Sequence, residues 1–123
     1  FFIPMKRYMK TGKKKYLDQF LASAFTEKDD YAERSLALIF THFTMDFTPV
    51  PIIKTADALK IHTPITLIAA ENDILFPGSK MIKRAKNIFP SLKNTVLLKD
   101  SKHVQGKEDN QRIAAIIKNN AQV

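Results

Sequence analysis

A chain of 123 residues is long enough for one domain and too short for two ordinary ones. It has no cysteine, which excludes disulfides, thiolate metal sites and a cysteine nucleophile and fits a reducing compartment, so the cytoplasm is the expected location. No run approaches the roughly 18 apolar residues of a membrane span, and nothing at the start reads as the apolar core of a signal peptide.

The net charge of +8 is concentrated at the beginning, where Lys6, Arg7, Lys10, Lys13, Lys14 and Lys15 precede the first acidic residue, Asp18. Such a basic arm can serve nucleic acid or an anionic membrane surface. A solvated segment is the commoner explanation, and nucleic acid is disfavoured. The chain opens on "FFIPM" in place of an initiator Met, which reads as a piece cut from something longer.

Tyr16, Leu17, Phe20, Leu21, Ala24 and Phe25 recur at helical spacing and predict an amphipathic helix over 15–27. Leu36, Ile39, Phe40 and Phe43 predict another over 30–46. "FTPVPII" (47–53) follows, with two prolines that disfavour helix and impose an extended connection. It divides the chain into a basic arm with cap-like or lid-like helices (1–48) and a C-terminal α/β unit (49–123). Phe40, Phe43, Met45 and Phe47 are candidates to line an acyl pocket under such a lid, and plain core packing explains them equally well.

The second half alternates. A short helical piece, "KTADALK", precedes a strand over 65–70, a helix over 79–89, a strand over 95–99 and a helix over 108–118. Ile82, Ala85, Ile88 and Phe89 give the first long helix of this half a buried face, with Lys80, Lys83, Arg84 and Lys86 largely opposite. In the last helix Glu108 and Asp109 favour the first turn, and Ile113, Ile116 and Ile117 predict a buried stripe. Strand, helix, strand is a crossover, so the two strands are parallel and end on the same sheet edge.

Asp73 lies three residues past the first strand and His103 four past the second, both over that carboxyl edge, where sites form in open α/β sheets. Adjacent strands are about 4.8 Å apart, close enough for the two loops to meet. A carboxylate bonded to one imidazole nitrogen sets the tautomer and leaves the other nitrogen to take a proton from a nucleophile. Asp73 is then the orienting acid and His103 the general base, with Glu71 and Asp100 the alternative acids. Taken singly, Asn72 and Asp73 are ordinary turn formers and His103 an ordinary loop histidine. Ser79 reads as a helix cap. His42 and His62 have no partners at metal-ligand spacing.

"TADALKIHTPITLIAAENDILFP" followed by "LLKDSKHVQGKEDNQRIAAIIKN" resembles the C-terminal end of the α/β hydrolase family, its last two strands and last two helices. The resemblance runs over 49–119 and leaves 1–48 where such enzymes carry cap helices. It implies an α/β fold with two parallel strands, flanking helices and preceding cap-like helices, and Asp73 and His103 as triad acid and histidine, acid before histidine as the family orders them. Two departures from the family pattern stand out. Lys102 stands where glycine often precedes the histidine, and Ala70 and Glu71 where the turn before the acid carries glycine.

No nucleophile elbow is present. The G-x-S-x-G motif needs glycines four apart, the only glycines are Gly12, Gly78 and Gly106, and the positions two before them hold Lys10, Phe76 and Val104. The expected function is therefore the C-terminal part of a serine hydrolase, a carboxylesterase acting on a small or medium apolar ester, with its serine upstream and no cofactor. The alternative is a stand-alone basic α/β domain that binds an anionic partner or nucleic acid. Without neighbouring strands the isolated chain is expected to self-associate.

Overall fold

The computed structural model describes residues 2–121. Its elements are α1 (Phe2–Thr11), α2 (Lys14–Ala24), α3 (Asp30–His42), α4 (Thr55–Ala58), β1 (Ile65–Ala70), α5 (Gly78–Ile88), β2 (Leu92–Leu98) and α6 (Lys107–Ala121). The class is α/β, with six helices and two parallel strands in one open sheet. Among the described residues no helix is long and apolar enough to cross a membrane.

The basic arm is not a loose segment: its first ten described residues form α1. Met5 and Tyr8, three apart, turn inward, while Lys6, Arg7 and Lys10 stay in solvent. Pro4 falls in the first turn, where a missing N–H costs little. The helix stops at Gly12, whose φ of 63° and N–H bond to the Tyr8 carbonyl (2.7 Å) are those of a left-handed helix terminator.

Leu17, Phe20 and Ala24 form the inward stripe of α2, and Asp29 caps α3 by accepting the Tyr31 and Ala32 N–H groups, each at 3.0 Å. Together with Met5, Tyr8 and Phe40 these residues make the principal core cluster. The Phe40 ring meets Phe20 edge-on at 5.2 Å and Tyr8 at 6.4 Å between centroids. α3 ends four residues before the predicted boundary because Phe43 turns extended, and residues 43–54 then run without helix or strand, as the two prolines require.

β1 and β2 pair in parallel, Ile65 with Leu92 and, past one irregularity, Thr66 with Asn94 through to Ala70 with Leu98. β2 begins three residues earlier than predicted, since Lys93 and Asn94 are exposed and hide the apolar alternation there. α5 crosses over against both strands and buries Ala85 and Ile88. Gly78 opens it with Pro77 as N-cap and no side-chain cap bond, so the expected capping role of Ser79 is absent. In α6 no residue is fully buried: Ile113 and Ile116 are half-buried and Ile117 is 59% exposed. The predicted stripe is incomplete because two strands offer too narrow a surface to cover a helix of four turns.

Candidate active site

Backbone bonds tie together the loops that leave the two strands. The Glu71 N–H donates to the Leu98 carbonyl at 3.0 Å, prolonging the ladder, and the Asn72 N–H donates to the Ser101 carbonyl at 2.8 Å. Asp100 adopts a left-handed φ of 57° and its N–H donates to Glu71 Oε2 at 3.1 Å. The Glu71 carboxylate is thus engaged by the Asp100 backbone. Neither residue is bonded to His103.

Asp73 is buried, and its two oxygens divide the work. Oδ1 accepts the Leu75 and Phe76 N–H groups at 2.8 and 2.9 Å, which closes the turn. Oδ2 lies 2.9 Å from His103 Nδ1. The turn-forming and partner-binding roles proposed for this carboxylate therefore coexist. Burial pushes the Asp73 carboxyl up, but the Phe76 N–H, the His103 ring and the Leu75 N–H outweigh it and hold the group below the usual carboxylate range.

An ionised carboxylate only accepts, so Nδ1 carries the proton and the Nε2 of a neutral ring is left as acceptor. The His103 side chain is 35% exposed, and the Phe76 ring lies 6.0 Å from it at a 35° tilt. Among the described residues no serine or threonine hydroxyl is hydrogen-bonded to the His103 ring.

Beside His103 opens a cavity of about 290 Å³, lined chiefly by apolar groups including Phe20, Phe40, Met45, Phe47 and Val104. Of the four acyl-pocket candidates, Phe40, Met45 and Phe47 line it, whereas Phe43 is 67% exposed and does not. A larger hollow of about 500 Å³, walled by Lys14, Asp18 and Lys102 among others, is not lined by His103. His42 and His62 are exposed, and among the described residues no three His, Asp or Glu side chains are grouped to hold a metal ion.

One part of the site has no counterpart in the sequence reasoning. The segment after α2 lies alongside the His103 loop, with Phe25 and Val104 forming a parallel bridge. The Thr26 N–H donates to the Val104 carbonyl at 2.9 Å, and the Val104 N–H to the Ala24 carbonyl at 2.8 Å. Glu27 Oε2 accepts the Lys107 N–H at 3.0 Å, at the start of α6. These partners are separated by nearly eighty residues, so no local pattern announces them.

No family model, curated protein or solved structure matches the chain.

Proposed function

We propose that the chain is the C-terminal part of an α/β-hydrolase-type serine hydrolase, a carboxylesterase whose nucleophile lies upstream. The observation that carries this reading is the 2.9 Å contact between His103 Nδ1 and Asp73 Oδ2, at the carboxyl edge of a parallel sheet and beside an apolar cavity. Nε2 of His103 takes the proton of the serine hydroxyl as its oxygen attacks the ester carbonyl. The resulting imidazolium is stabilised by the ionised Asp73. It then returns the proton to the departing alkoxide, leaving an acyl-enzyme. A water molecule, deprotonated in the same way, releases the acid and restores the serine.

The cavity wall favours a small or medium apolar acyl group over a charged one, because burying an unpaired charge there is costly. The basic-binding alternative draws less support. Four of its six cations, though exposed, already have partners on the surface of the fold: Lys14 bridges Asp18 and Glu33, Lys6 sits over the Phe47 ring, and Arg7 and Lys15 sit over Tyr16.

The test is to sequence the gene upstream of Phe1 and assay the full product on p-nitrophenyl butyrate, with and without His103→Ala. A G-x-S-x-G elbow and loss of turnover in the variant are expected. The absence of an elbow, or turnover insensitive to His103→Ala, overturns the proposal.

A further inference from the structure

The residues on either side of His103 are both held by the segment that follows α2. Thr26 Oγ1 accepts the Lys102 N–H at 2.9 Å and donates to the Val104 carbonyl at 2.8 Å. A threonine hydroxyl has one proton to give, and that donation uses it. A single hydroxyl thereby closes a three-residue loop with His103 at its centre. Lys102 adds a second tie: its Nζ donates to the Ala22 carbonyl at 2.6 Å, in the last turn of α2. Carbonyls there lack helical partners, and a cation at that end is favoured. The lysine that stands where the hydrolase resemblance expects glycine thus has a structural use.

Among the described residues the His103 ring has a single hydrogen bond, to Asp73, and it is partly in solvent, so its direction depends on how firmly its backbone is held. The Thr26 hydroxyl is hydrogen-bonded to neither the ring nor Asp73. We infer that Thr26 is a positioning residue for His103, and that the segment after α2, through Thr26 and the Ala22 carbonyl, sets the geometry of the Asp73–His103 pair. The catalytic meaning of this rests on the function proposed above. The geometric claim does not, and the two are separable.

The test uses the full-length protein labelled with ¹⁵N and follows exchange of the His103 Nδ1 proton with water by NMR. Thr26→Val keeps the shape of the side chain and removes both hydroxyl bonds together with the 3.5 Å contact to the buried Ser101 hydroxyl. It should speed that exchange about tenfold, roughly what the loss of one net hydrogen bond permits. Thr26→Ser, which restores the hydroxyl, should return it to the parental rate. Lys102→Met should give a smaller acceleration in the same direction. Exchange that stays parental in folded Thr26→Val, or that Thr26→Ser fails to rescue, overturns the inference. Should circular dichroism show Thr26→Val unfolded, Lys102→Met decides, and parental exchange in it overturns the inference. None of these readouts depends on turnover, so the positioning role can fail while His103→Ala still abolishes esterase activity, and the reverse.

Discussion

At the scale of single residues the site rests on one carboxylate with two duties. On the hydrolase proposal, Asp73→Asn in the full-length protein should lower kcat by about a thousandfold or more, because the amide no longer imposes the Nδ1–H tautomer, and His103→Ala should do at least as much by removing the base. Single-turnover assays on a p-nitrophenyl ester check both. Near-parental rates for both would refute the pairing.

Folding also lowers the Asp73 carboxyl below its unfolded value of about 3.9. Its contribution to stability is therefore complete above that value and lost as the pH falls through the folded one. Melting followed from pH 7 down to pH 2 should show a decline below about pH 4 that Asp73→Asn makes shallower. An identical acid slope in the variant counts against a depressed carboxyl. The chain by itself should not turn over p-nitrophenyl esters beyond the slow background of a histidine, since among the described residues no serine or threonine hydroxyl is hydrogen-bonded to the ring. Fluorophosphonate labelling of Ser23, Ser35, Ser79, Ser91 or Ser101 with loss of turnover would show otherwise. Asp73 and His103 were legible in sequence because each follows an apolar run by a few residues. Thr26 was not, because its role comes from contacts with residues 102 and 104.

At the scale of elements the junction between β1 and α5 is the tightest. A Cβ added to Gly78 would lie 2.5 Å from the Ala70 carbonyl oxygen and 2.8 Å from Leu97 Cδ1, so the helix can approach the strand ends only with glycine there. Gly78→Ala should cost about 1–3 kcal/mol, read as a lower urea midpoint at unchanged slope. A parental midpoint would mean that the loop relaxes freely. Helical spacing announced α2, α3, α5 and α6, and the continuous apolar run announced β1, because each has a one-sided or fully apolar pattern that solvent would not tolerate. α1 was hidden: its six-cation neighbourhood reads as a solvated arm, and only Met5 and Tyr8 betray an inward stripe. The outer part of β2 was obscured by Lys93 and Asn94, and Ile117 was misplaced inward because periodicity reports an apolar face without reporting what lies opposite it.

At the scale of the whole molecule, β1 and β2 each pair on one side only among the described residues, leaving unpaired backbone groups on both edges. Exposed Ile74, Phe76 and Ile117 add apolar surface around the sheet. The isolated chain should therefore self-associate, the +8 charge being screened beyond about 8 Å at physiological salt. Light scattering coupled to size exclusion should give masses above 14.0 kDa at tens of micromolar, and a monodisperse monomer there would show that the chain closes its own core. The aromatic core has a consequence of a different kind. Met5, Tyr8, Leu17, Phe20, Ala24 and Phe40, and every partly buried side chain packed on them, fall within the first 45 residues. During synthesis, at about 5–20 residues per second, that cluster can close while β2 and His103 are still inside the ribosome. The Phe25–Val104 bridge and the Asp73–His103 pair must wait until residues 103 and 104 have emerged. The helices are thus a template that can be complete before the histidine loop is laid on it, so a product truncated before residue 103 would keep the aromatic cluster and lack the Asp73–His103 pair.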